Sequence, residues 1–420
     1  MENSSNSLTT ENTANGTLDN SSPHNLPKKH YIQRDDALYL RVTLSFFTVG
    51  LATFALLYFV QPILPMLSED FNVSPATASL SLSLSTGLMA LGLLITGPIS
   101  DAIGRKNVMV VALTSAALFT LLSAFMQSWQ GILIARALVG LSLSGVAAVA
   151  MTYLSEEIHP SYVALSMGLY ISGNSIGGMS GRLVTGVIAD FYSWRVAVIL
   201  LGALALIAAI SFWRLLPPSQ HFRASSLKPK SLWVNLRLHF RDKGLPWLFI
   251  EGFVLMGGFV TMYNYIGYRL LEAPYHFSQA TVGMLSIIYL TGTYSASKSG
   301  SLTNKFGLGK VLIAALVLML AGILLTLFSS FWIILFGMTV LTTGFFAAHS
   351  VASSWVGHRA KRARGQASSL YLFSYYAGSS IAGTVGGIFW FQFGWSGVAW
   401  FIAGLLIIGM LIAYKLKVSC

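Results

Sequence analysis

Thiols are almost absent from this chain. The single cysteine among 420 residues is Cys420, so no disulfide and no cysteine-based metal site can form within it. Charge is scarce as well, at 10% of residues, against about 25% in soluble globular proteins. With 55% hydrophobic residues, a soluble fold of this length lacks the polar surface it would need. The composition indicates a polytopic membrane protein, whose lipid-facing surface is apolar. Also missing are a Walker loop, a cluster with metal-ligand spacing and a Ser-His-Asp arrangement. No enzymatic activity, cofactor or metal is therefore expected. The first thirty residues lack the apolar core of a signal peptide, so the first apolar span is expected to act as an uncleaved anchor.

What charge there is lies unevenly. The chain has 26 Lys and Arg against 14 Asp and Glu, a net charge of +12. On a soluble protein that excess would suggest nucleic acid. Here, however, 21 of the 26 cations fall in segments 28–41, 105–106, 214–243, 305–310, 359–364 and 415–417. The alternate loops carry Glu69, Asp70, Asp190 and Glu272 instead. This is the positive-inside distribution, which predicts two cytoplasmic termini and a lipid bilayer, rather than nucleic acid, as the partner.

Residues 1–36 are rich in Ser, Asn and Thr without apolar periodicity, and are expected to form a disordered cytoplasmic tail. Apolar stretches long enough to span a bilayer fall near 40–66, 76–98, 107–127, 129–153, 162–188, 195–216, 246–271, 279–301, 309–329, 331–356, 366–391 and 395–416. The expected fold is thus all-α, with twelve spans in two six-helix halves, 37–216 and 246–420. The polar stretch 217–245 is the cytoplasmic linker between them, and Trp233–Phe240 within it could form an amphipathic helix on the inner leaflet.

The halves are related by duplication. Gly97-Pro-Ile-Ser-Asp101-Ala-Ile-Gly104-Arg105-Lys106 returns in degraded form as Gly300-Ser-Leu-Thr-Asn304-Lys-Phe-Gly307-Leu-Gly309. A second echo aligns Tyr170–Trp194 with Tyr371–Trp395. In the first copy, Gly97 and Gly104 permit a tight turn and close helix approach. Asp101 could accept bonds from the free amides that begin the eleventh span, after Gly365. Arg105 could pair with Glu156 or Glu157 at the end of the fourth. Asn304 replaces Asp101 in the second copy, and both final cations are lost.

The spacing Gly97-x-x-x-Asp101-x-x-Gly104-Arg105-Lys106 resembles the loop signature of the major facilitator superfamily, with Ala102 where a basic residue is usual. Arg136-Ala-Leu-Val-Gly140 resembles that superfamily's fourth-helix motif, and the likeness covers the chain from about residue 37. At finer grain, Gly168-Leu-Tyr-Ile-Ser-Gly-Asn-Ser-Ile-Gly-Gly178 is similar to the YnfM-type bacterial inner-membrane transporters, a group linked to drug and acridine sensitivity. The resemblance implies a transporter of the inner membrane in which Gly97, Asp101, Gly104, Arg105, Lys106, Glu156 and Glu157 form a cytoplasmic gate. It assigns Arg136 either to proton coupling or to helix interlocking.

Other membrane-embedded polar groups are candidates in their own right. Glu251 early in the seventh span and His349 in the tenth could exchange protons, although Lys243 is close enough for Glu251 to form an ion pair instead. Phe54, Tyr58 and Gln61 share one predicted face of the first span. Met256, Phe259 and Tyr263 share one face of the seventh, with Asn264 beside them. Asn174, Arg182, Tyr375 and Tyr376 complete a polar and aromatic wall suited to flat, amphipathic solutes. Gly173, Gly177 and Gly181 form a stripe for close helix packing, but the fifth span lacks the Pro of antiporter motifs.

With no nucleotide site, transport would draw on an ion gradient. The leading expectation is proton-coupled export of small amphipathic organic compounds, drug-like and including cations, by a monomer that alternates its access. A carrier of a specific polar solute, an organic acid or sugar, is the alternative, since an anion would suit Arg136 or Arg182. A non-transporting receptor or scaffold is the third.

Overall fold

In hydrocarbon a backbone must satisfy its own hydrogen bonds, and a chain this apolar does so as helices. The computed structural model describes residues 31–222 and 229–418, and the helical unit begins at Ile32. Most of the expected tail, Arg223, Lys228 and Cys420 lie outside the described residues. The amino-terminal half contains α1 (Ala37–Tyr58), α2 (Leu64–Asp70), α3 (Pro75–Ile103), α4 (Arg105–Ala124), α5 (Trp129–Glu157), α6 (Pro160–Phe191) and α7 (Trp194–Leu215). After α8 (Pro229–Arg241), the other half contains α9 (Leu245–Leu271), α10 (Gln279–Met284), a 3₁₀ turn (Leu285–Ile288), α11 (Tyr289–Phe306), α12 (Leu308–Leu325), α13 (Phe331–Arg359) and α14 (Arg364–Val418).

Among the described residues, nine helices are long and apolar enough to cross a membrane. One of these, α14, breaks at Gly394 (φ 61°) into two spans. The polar-rich α6 and the interrupted α10–α11 supply the others, so twelve spans fit the architecture. Serine caps start several of them: Ser74, Ser128, Ser193 and Ser278 each accept an amide of the first turn at 3.2 Å. Gly104 (φ 106°) and Gly307 (φ 84°) join consecutive helices at the same point of each half, in a conformation open to glycine alone.

The duplication is physical as well as textual. A Cβ added at Gly177 of α6 would stand 2.1 Å from the Leu51 carbonyl oxygen of α1, and one at Gly378 of α14 would stand 2.1 Å from the Phe253 carbonyl oxygen of α9. The stripe Gly173, Gly177 and Gly181 therefore lets α6 lie directly on the α1 backbone.

Two expected spans depart from continuous helices. The first, expected over 40–66, stops at Tyr58 and resumes at Leu64. Pro62 interrupts the helix by lacking an amide hydrogen, although the apolar run continues through it. The eighth tightens into the 3₁₀ turn at Leu285–Ile288 before continuing to Phe306. The linker helix α8 forms, with Trp233, Val234, Leu238 and Phe240 exposed.

Candidate functional site

The two ends of the bundle differ in how the halves meet. At the end away from the Gly97 loop they are in contact. The Gly186 and Gly283 backbones touch, leaving no room for a Cβ, and Gly387 of α14 meets Ala76 of α3. Ser286 donates to the Met179 carbonyl at 3.0 Å, and Thr384 to Ser83 at 2.8 Å. Gln279 donates to the Pro62 carbonyl at 2.7 Å, and Ser68 and Tyr268 share a bond of 2.6 Å. At the Gly97 end, Cβ positions at Gly97, Gly168, Gly300 and Gly365 meet nothing within 4 Å. Ile95, Ile99, Ile103, Leu165 and Leu302 are exposed there. The halves are joined at the far end and parted at the loop end.

In the loop, Arg105 is the hub. It donates to both carboxylate oxygens of Glu156, at 2.8 and 3.1 Å, to Ser100 at 2.7 Å and to Asp101. Two carboxylates thus compensate a guanidinium that is itself buried. Glu157 is not a partner of Arg105. It accepts from Ser219 and from the His221 amide, while Lys106 donates to the Leu216 carbonyl at 2.5 Å, so both fasten the linker. The expected bonds from the start of the eleventh span to Asp101 are absent among the described residues. Nor does Gly97 serve a close approach in this conformation, because a Cβ there would meet nothing within 4 Å among the described residues.

Arg136 of α5 is 1% exposed and donates to three carbonyls: Leu56 at 2.8 Å, Leu57 at 2.7 Å and Ser81 at 3.0 Å. Leu56 and Leu57 belong to the last turn of α1, whose carbonyls are left open where the helix stops. Arg136 thus caps the break that sets Gln61 free of any helix. The expectation that Gln61 shares a helix face with Phe54 and Tyr58 is corrected accordingly.

Gln61 instead bridges the halves. It donates to Asn264 of α9 at 2.7 Å and accepts from Arg182 of α6 at 2.6 Å. Arg182 is 3% exposed, and its second bond goes to the Gly178 carbonyl at 2.5 Å. Its guanidinium carbon lies 4.7 Å from the rings of both Tyr58 and Tyr289 and 5.9 Å from that of Tyr263. Tyr375 and Tyr376 are buried nearby on α14, their rings 5.1 Å apart. Phe54 is half-buried beside Tyr58, their rings 5.8 Å apart. Phe259 stacks on Phe345 at 3.8 Å, and Met256 is buried one turn before it. Asn174 departs from the wall: its amide oxygen turns toward Gly50 of α1, within one half.

Glu251 is fully buried on α9, and neither carboxylate oxygen has a hydrogen-bond partner among the described residues. It packs toward Gly409, on the second span of α14, and makes no ion pair with Lys243. His349 shares a 2.9 Å bond with Tyr371, whose ring lies against Gly252, the neighbour of Glu251.

Several participants escaped the sequence reading. Tyr289, Gln279, Ser286, Gly186 and Gly283 all act at the far end or beside Arg182. The unusual density of small and polar residues from Ser278 to Ser301 was the available signal. A lipid-exposed helix has no use for it, so it marks a helix facing protein.

Known proteins agree with this architecture. The family model described as Major Facilitator Superfamily matches residues 43–299 and 267–418. The Escherichia coli (strain K12) inner membrane transport protein YnfM is 64% identical over 92% of this chain and 93% of its own. The uncharacterized MFS-type transporter YybF of Bacillus subtilis (strain 168) is 41% identical over 90% of this chain and 94% of its own. Among solved structures, the nucleoside transporter NupG superposes with a TM-score of 0.76 at 15% identity, covering 89% of this chain and 99% of its own.

Proposed function

Since the chain belongs to the major facilitator superfamily of transporters, we propose that it is a proton-coupled exporter of small amphipathic organic compounds. It would lie in the bacterial inner membrane with both termini cytoplasmic, as the cation distribution favours. The observation that carries this reading is the asymmetry of the two ends. Paired glycines and side-chain bonds join the halves at one end, while equivalent glycines face open space at the other. On the proposed orientation this is the inward-facing arrangement, with the Tyr58–Arg182–Tyr289 cluster buried next to the joined end.

Glu251 is our choice for the proton site. An unpaired carboxylate in a dry interior is costly unless it binds a proton, and Glu251 is buried without another partner among the described residues. A change that brings water or a cation to it would release the proton. The test is a proton gradient in everted vesicles, with and without the protein, challenged with a panel of amphipathic solutes. Solutes that collapse the gradient only when the protein is present support the reading. Glu251→Gln should abolish that collapse while retaining solute counterflow. Counterflow without any gradient collapse in the wild type would leave a carrier not coupled to protons. Failure of every solute in both assays would favour a receptor.

A further inference from the structure

We propose that Arg182 is the receptor for an anionic group on the transported solute, so that the site selects organic anions with a flat apolar body. This rests on the transporter reading above and gives it a substrate class.

Donors outnumber acceptors around this side chain. A guanidinium has five N–H groups, and Arg182 finds two acceptors, on Gln61 and Gly178. No carboxylate pairs with it among the described residues. Around it, the Tyr289 hydroxyl and the Asn264 amide nitrogen are buried without partners among the described residues. The hydroxyls of Tyr58 and Ser379 are likewise buried without partners among the described residues. A net positive charge thus sits among unused donors, buried away from solvent. Burial of such groups is costly unless an acceptor arrives. Beside the guanidinium is a cavity of about 20 Å³, lined also by Gln61, Pro62, Tyr263 and Ser286, with room for one small polar group.

Arg136 makes the contrast. It is comparably buried, yet each of its three nitrogens donates to a carbonyl. Of the two arginines that could attract an anion, Arg182 has the greater capacity to spare. Its neighbours come from both halves: Tyr58 and Gln61 from one, Tyr263, Asn264 and Tyr289 from the other. An oxyanion placed there would bridge them, and the buried rings of Tyr58, Tyr263 and Tyr289 around the guanidinium would border an apolar body. A cation in the same place would meet an uncompensated like charge.

Matched probes test this on the purified full-length protein: benzoate, its neutral amide benzamide, and the cation benzamidinium. Calorimetry should show benzoate binding the wild type, with the other two at least about tenfold weaker. Arg182→Gln should remove the preference for benzoate by a similar factor. Should that variant fail to fold, the more conservative Tyr289→Phe should weaken benzoate severalfold and leave benzamide unchanged. Equal binding of all three probes, or benzoate binding unaffected by either substitution, would overturn the proposal. Counterflow separates this proposal from the reading beneath it. Arg182-dependent benzoate binding without counterflow of any solute would remove the transporter reading and leave the anion site standing. Counterflow of benzamide or benzamidinium but not benzoate would do the reverse.

Discussion

Arg136 binds three backbone carbonyls and no carboxylate, which makes a prediction about what its loss does. Arg136→Gln, with two N–H donors for three acceptors, leaves at least one of the Leu56, Leu57 and Ser81 carbonyls unpaired in a dry interior, at a cost of about 1–3 kcal/mol. The purified variant should melt well below the wild type. Arg136→Lys should rescue little, because one ammonium cannot span the three acceptors. A variant that keeps its melting temperature and loses only proton-driven transport would return Arg136 to coupling. Asp242 offers a second test, outside the membrane. Burial works to raise its pKa, but Arg359 at 2.5 Å and the Gly244 and Leu245 amides at 2.8 Å outweigh it and hold the carboxyl below its ordinary value. A depressed folded value means the group stabilises the fold above its unfolded value, near 4, and that contribution is lost as pH falls toward the depressed value. Asp242→Ala should therefore lower stability at neutral pH by about 1 kcal/mol, through the lost cap of α9. It should also flatten the acid limb of a melting-temperature profile taken below pH 4. An unchanged acid limb would mean that the cap carries no linkage.

Helix existence was legible in the sequence because membrane spans are set by apolar length, a signal that survives without knowledge of the partners. Interruptions were not legible for the same reason. Val60, Ile63 and Leu64 are apolar, so the run through Pro62 reads as continuous, and only the donors of Arg136 and Gln279 show where the backbone leaves the helix. The loop signature was legible as a motif, and Arg105 pairs with Glu156 rather than Glu157, but no bond from the start of the eleventh span reaches Asp101 among the described residues. That yields a prediction for the loop: Asp101→Asn should slow turnover more than Asn304→Asp alters it. Asp101 holds Arg105, which in turn holds Glu156, whereas Asn304 is exposed. Equal, negligible effects in a transport assay would remove the latch from the mechanism.

Glycines at opposite ends of the bundle should shift the whole molecule in opposite directions. In this conformation Gly97 has open space around it, so Gly97→Leu costs nothing here and obstructs the closure of the loop end. Gly186→Ala does the converse: its Cβ would lie 2.7 Å from the Gly283 Cα, backbone against backbone, so the joined end must part. Overpacking of this kind costs about 1–3 kcal/mol, or about a fivefold to hundredfold change in a two-state ratio. Because the chain's one cysteine is Cys420, a Cys420→Ser background accepts a spin-label pair at Leu165 and Ser368. Both are exposed at the loop end, one on each half. The label distance should remain long in Gly97→Leu under every condition and shorten in Gly186→Ala. Transport should fall in both, since either bias removes one of the two states that alternating access requires. If the two substitutions moved the distance in the same direction, the ends would not be coupled, and the halves would not exchange as rigid partners around the Arg182 cluster.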